Sequence, residues 1–163
     1  MGSWKQWSRA ALTAAALAVV LDLLGAGRIQ VTAYALSCPG LPEAFSGLKI
    51  ALITDLHGAF LEDGGQTLAR AAAGADLIAI SGDLFDRDTH LEQVIPAIRS
   101  LCRMAPVYYV SGNHEWTVEG RREVWAQMEE AGAILLDHRW VTLERQGASI
   151  PLAGIQDPNG PAD

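Results

Sequence analysis

Three short clusters carry most of the side chains capable of chemistry: Asp55-Leu56-His57, Gly82-Asp83-Leu84-Phe85-Asp86-Arg87 and Gly112-Asn113-His114-Glu115. Their donors are carboxylate, amide and imidazole groups without a thiolate, a set that Mn, Fe or Zn accepts. Each cluster alone has an ordinary reading: a turn Asp beside a surface His, a helix-capping loop, a turn with a capping box. Three of them in this order, each directly after an apolar run, point instead to one shared site. Gly82 and Gly112 let the chain turn sharply with its backbone close to a ligand. No GxSxG or CxxxxxR nucleophile motif is present.

Short buried strands must position these clusters. The apolar runs at 48–53, 77–80 and 107–110 each immediately precede one cluster, and continuous apolar runs suit a parallel sheet covered on its faces. Between them, the sequence predicts helices over 66–73 and around Leu91, Val94, Ile95, Ile98 and Leu101, with Pro96 as a kink or an early-turn residue. A further helix is predicted over 119–131, with an apolar stripe of Val124, Trp125, Met128 and Ala131, and short strands at 133–136, 140–143 and 150–153. Residues 28–36 alternate Ile29, Val31, Ala33 and Ala35 with Gln30, Thr32 and Tyr34, the pattern of a half-buried strand. Pro39 and Pro42 end it. Alternating strands and helices indicate an α/β fold with a mainly parallel sheet. In such sheets ligands bind outside the carboxyl ends of the strands, where all three clusters fall.

The chain has 163 residues, half of them apolar, and twelve Lys and Arg against nineteen Asp and Glu give a net charge of −7. That composition excludes a disordered tail, a collagen-like fibre and a disulfide scaffold. It also argues against nucleic-acid binding, which needs a basic footprint. Cys38 and Cys102 are expected to be free thiols; lipid modification of Cys38 is disfavoured by its distance from the apolar segment. Residues 1–27 read as an N-terminal membrane anchor or signal segment ahead of a domain at 28–163. Lys5 and Arg9 precede a stretch, Ala11 to Gly27, whose only polar residues are Thr13 and Asp22, and Trp4 and Trp7 flank its near end. A single span with the basic residues inside would put the domain outside the cytoplasm, at the cell membrane. The rival readings are a cleaved signal peptide, with Ala33-Tyr34-Ala35 as its small-x-small site, and a buried Ala-rich helix.

Taken together, the clusters resemble the calcineurin-like metallophosphoesterase superfamily, whose pattern runs DxH, GDxxD(R), GNH(E/D), a GH pair and GHxH. The flanks LPEAFSGLKIALITDLHG, PVYYVSGNHE and IPLAGIQDP are similar to its membrane-linked bacterial branch. The resemblance covers residues 28–163. It implies the N-terminal half of a four-layer α/β/β/α sandwich, preceded here by the apolar helix. The implied activity is hydrolysis of phosphate esters by water activated at two divalent metal ions, Mn, Fe, Zn or Ni. Asp55 and His57 would hold the first ion, Asp83 would bridge both, and Asn113 would bind the second. His114 would face the phosphoryl group as acid or charge stabiliser, and Asp86 would orient it through a hydrogen bond. Arg87 would contact a phosphate oxygen or remain a solvated surface charge, and Glu115 would support the site.

The superfamily's GH and GHxH motifs are not met by Asp163, and His90 and His138 are expected at the surface. The expectation is therefore an incomplete chain bearing half of a dinuclear site, with part of its apolar sheet face exposed. The alternatives are a catalytically inactive metal-binding or structural module, and a site completed by another chain. The substrate partner would be a phosphate ester, of a lipid-linked or cell-envelope kind if the domain lies outside the cytoplasm.

Overall fold

The computed structural model describes residues 29–158 and 160; the segment expected to anchor the chain, 1–27, lies outside them. Four strands, β1 (Ile50–Ile53), β2 (Leu77–Ser81), β3 (Val107–Val110) and β4 (Ile134–Leu135), form one sheet in chain order. Every pairing in it is parallel. Helices α1 (Gln66–Ala71), α2 (Val94–Cys102) and α3 (Arg121–Glu130) make the three crossovers. A hairpin of β5 (Trp140–Arg145) and β6 (Ala148–Ala153) follows.

The strand register sorts side chains onto two faces. Ile78 and Ile80 of β2 lie level with Val107 and Tyr109 of β3, and all four are buried. They share the core with Val94, Ile98 and Leu101 of α2 and Met128 of α3, each fully buried. Pro96 sits in the first turn of α2, where its missing N–H has no helical partner to lose, so the helix needs no kink. On the opposite face, Ile50 and Leu52 of β1 remain 56% and 68% exposed. This matches the expectation of a partly uncovered apolar face. The hairpin reaches back to the sheet through Arg145, whose guanidinium lies 3.4 Å from Asp76 at the start of β2.

The structure departs from expectation in three places. Residues 29–36 form no strand, and Val31, Tyr34 and Leu36 are 68%, 83% and 91% exposed. An alternating pattern becomes a strand only where an edge pairs with it and a face covers it, and none of the six described strands does so. The hairpin strands run longer than their apolar cores, because Gln146 and Gly147 both take positive φ, 49° and 82°. That is the two-residue turn whose twist matches paired strands. The stripe on α3 is narrower, with Val124 and Met128 buried but Trp125 and Ala131 only partly so. Cys38 and Cys102 are free thiols, and His90 and His138 are exposed as expected. Among the described residues no helix is long and apolar enough to cross a membrane.

The start of α1 depends on Asp63, whose Oδ2 accepts the Thr67 N–H at 2.9 Å and the Thr67 hydroxyl at 2.6 Å. The Thr67 hydroxyl is the main cause holding this carboxyl below its usual range, outweighing the upward push of partial burial. Asp63→Ala is expected to cost about 1 kcal/mol at pH 7, as loss of a helix-start acceptor does. A group with a depressed folded pKa stabilises fully above its unfolded value, about 3.9 for Asp, and loses that contribution as pH falls through the folded value. Denaturant melts of both proteins from pH 7 to pH 2 should converge at the acid end; a constant difference would remove Asp63 as the cause.

Candidate metal centre

Beyond the strand ends, the first two loops keep running side by side. The N–H groups of Asp55, His57 and Gly58 donate to the carbonyls of Gly82, Asp83 and Leu84 at 3.3, 2.9 and 2.9 Å. The Thr54 hydroxyl donates to the carbonyl of Ser81 at 3.0 Å. This holds the backbone in an unusual form: Asp55, His57 and Asp83 have φ of 54°, 48° and 53°. Asp and His are among the few side chains that tolerate the left-handed region, and such residues gather at functional sites. Gly82 meets Gly112 so closely that a Cβ on Gly82 would lie 2.8 Å from the Gly112 Cα, and one on Gly112 would overlap the Asp83 carboxylate and backbone nitrogen. The second and third loops therefore touch at a point where neither has a side chain.

Donor atoms of Asp55, His57 and Asp83 lie within 4.8 Å of one another, and so do those of His57, Asp86 and His114. His57 belongs to both sets. Its Nδ1 lies 3.3 Å from Asp86 Oδ2, and its ring meets the His114 ring edge-on, with centroids 4.5 Å apart. Asp83 accepts the His114 N–H on Oδ1 at 3.0 Å. Asn113 and His114 are exposed and line a cleft of about 340 Å³ with Asp86, Arg87, Asp88 and Thr117. Arg87 is fixed there by its Nε, which donates to the Thr117 carbonyl at 3.1 Å. All seven residues expected from the sequence thus lie on the loops at one sheet edge. The pairing of Asp86 differs from expectation: its close ring partner is His57, with His114 in the same cluster.

Partial burial pushes the Asp86 carboxyl up. Hydrogen bonds from the Thr89 hydroxyl and the Asp88 N–H, with the two nearby imidazoles, more than offset this and hold it below the usual range. Thr89 is a site-supporting residue that the motif reading passes over. Its hydroxyl donates to Asp86 Oδ1 at 2.8 Å and accepts the Asp86 N–H at 2.9 Å. The signal was an Asp followed three residues later by Thr, a common side-chain turn. Burial also raises the Glu115 carboxyl, against the pull of several backbone N–H groups.

The profile of the calcineurin-like phosphoesterase family matches residues 48–161. The chain belongs to that family. It is 28% identical to an uncharacterized metallophosphoesterase of Bacillus subtilis, YkoQ, over 72% of this chain and 46% of that protein. It is 29% identical to a Danio rerio transmembrane protein with a metallophosphoesterase domain, over 96% of this chain and 38% of the relative. The fold is similar to that in the crystal structure of TT1561 of Thermus thermophilus, with TM-score 0.51, 20% identity and coverage of 68% of this chain and 49% of that one. The chain thus spans less than half the length of the curated relatives it matches.

The donor chemistry fits the divalent ions typical of the family. Two carboxylates and an imidazole converge with no thiolate among them, and the backbone closes in where a Cβ would intrude. Gly112→Ala should therefore weaken Mn²⁺ binding about tenfold or more, the scale of disturbed ligand support, while far-UV circular dichroism stays native. Calorimetric titration giving the wild-type affinity would show that the loops do not need this contact.

Proposed function

We propose that this chain carries a metal-dependent phosphoesterase centre at the carboxyl edge of its sheet and is tethered to a membrane by residues 1–27. The observation that carries the reading is the convergence of Asp55, His57 and Asp83 from two adjacent parallel strands, with His114 against His57. In this reading Asp55, His57, Asp83 and Asn113 would hold the ions. Paired divalent ions, when bound, supply positive charge for the phosphoryl oxygens and lower the pKa of water toward 7.

The chain's own residues do the rest. His114, at the open side of the cleft, donates a proton to the departing alkoxide. Asp86 steadies the imidazole pair. Arg87, tied to Thr117 by Nε, offers its terminal nitrogens to a phosphate oxygen. The net charge of −7 makes a nucleic acid a poor partner. Basic residues before the apolar stretch support a single span with the domain outside the cytoplasm, and one relative is named a transmembrane protein. That placement favours lipid-linked or cell-envelope phosphate esters as substrates.

A second reading is a metal-binding module without turnover: the convergence of Asp55, His57 and Asp83 would hold an ion whether or not a phosphate ester is hydrolysed beside it. Hydrolysis of an aryl phosphate in Mn²⁺ separates the two readings: a rate abolished by Asp83→Asn establishes the enzyme, and no rate with metal bound establishes the module. In the enzyme, Asp83→Asn should lower both metal content and rate. His114→Ala should lower the rate by about 10²–10⁴-fold, the usual worth of a positioned acid, with metal content unchanged by elemental analysis; lost metal would make His114 a ligand. After carbonate washing, the tagged chain should stay with the membrane fraction and leave it only in detergent. Release by carbonate alone would refute the anchor.

A further inference from the structure

Glu115 is fully buried, at the start of a short 3-10 turn (Glu115–Thr117) just past β3. A carboxylate in that position needs several donors to offset its lost hydration. Every backbone donor it recruits from elsewhere in the chain belongs to the two loops of the candidate centre. Its Oε1 accepts the N–H of Leu84 at 2.6 Å and, more weakly, that of Phe85 at 3.4 Å. Its Oε2 accepts the N–H of Asp83 and that of Gly112, each at 3.0 Å. One oxygen thus joins the loop carrying Asp83 to the loop carrying Asn113 and His114.

A second strut crosses in the opposite direction, from Asp83 Oδ1 to the His114 N–H. On β3, the buried Tyr109 hydroxyl accepts the indole N–H of Trp125 at 3.2 Å. The Glu115 carboxylate thus grips both loops at once. If it served stability alone, its donors could lie anywhere in the core. Here they lie at Asp83, at the two residues after it and at the residue before Asn113.

We infer that Glu115 is a positioning residue that sets the separation of Asp83 from Asn113 and His114, and so the affinity of the centre for its ions. This rests on the metal-site reading above. Outer partners of metal ligands typically change affinity by about 10–100-fold when altered. Glu115→Gln keeps the size and one acceptor oxygen, but its amide NH₂ faces N–H groups that can no longer be paired.

Calorimetric titration of the purified chain with Mn²⁺ is the test, with Met128→Ala as a control that loosens the helix–sheet core away from the loops. Glu115→Gln should bind Mn²⁺ about 10–100-fold more weakly, while Met128→Ala, with a comparable loss of Tm, keeps the wild-type affinity. A folded Glu115→Gln protein with wild-type affinity overturns the inference, and so does equal weakening in Met128→Ala. Should Glu115→Gln not fold, Glu115→Asp, which keeps the charge but shortens the reach to both loops, decides. Several-fold weaker Mn²⁺ binding supports the inference, and unchanged binding overturns it. Wild-type protein that takes up no Mn²⁺ would instead defeat the metal-site reading, and this inference with it.

Discussion

The candidate centre depends on two loops meeting backbone to backbone. A parallel sheet delivers every strand to the same edge, but strands are about 4.8 Å apart, and a side chain on each facing loop would hold the loops further away. Gly82 against Gly112 removes that obstacle. The contact then exposes a new problem, since N–H groups at Asp83, Leu84 and Gly112 sit where water has little access. Glu115 answers it with one buried carboxylate. Close approach and buried charge are two halves of one arrangement: without the glycines the carboxylate could not reach both loops, and without the carboxylate the approach would strand several donors.

Local strain is concentrated in the same place. Left-handed backbone at Asp55, His57 and Asp83 runs against the intrinsic preference of L-residues, at a cost of order 1–3 kcal/mol per strained residue in general. The ladder of N–H to C=O bonds from Asp55, His57 and Gly58 to the neighbouring loop over-determines that shape. These residues keep their unusual backbone because the adjacent loop holds it, and their donor atoms lie within 4.8 Å of one another.

Much of this was legible in the sequence, and the remainder was not for identifiable reasons. The strands at 50–53, 77–81 and 107–110 follow from apolar runs, and their polar successors mark one edge because parallel strands share a direction. Residues 29–36 misled because alternation reports a surface that could be half-buried, whereas pairing is decided by what lies beside it. The hairpin strands were underestimated because the Gln146-Gly147 turn sets their length and the apolar pattern does not. Glu115 could be read as a supporting residue, but its donors at Asp83, Leu84 and Phe85 lie about thirty positions away. No local spacing encodes that contact.

The contacts of Asp86 differ most between sequence and structure. The motif makes it the partner of His114, yet its carboxylate faces His57 Nδ1 at 3.3 Å. Imidazoles that bind metals commonly donate their second ring N–H to a carboxylate, which fixes the tautomer and raises the basicity of the other nitrogen. Asp86 is placed beside Nδ1 of His57, a residue that also belongs to the set with Asp55 and Asp83. The Thr89 hydroxyl and the Asp88 N–H both engage Asp86 Oδ1, so Oδ2 is kept for the imidazole. Asp86 thus stands beside the one residue that belongs to both donor sets found among the described residues. His57 and His114 meet edge-on with ring centroids 4.5 Å apart, so the Asp86 carboxylate, the two rings and the donors of Asp55 and Asp83 form one contiguous cluster.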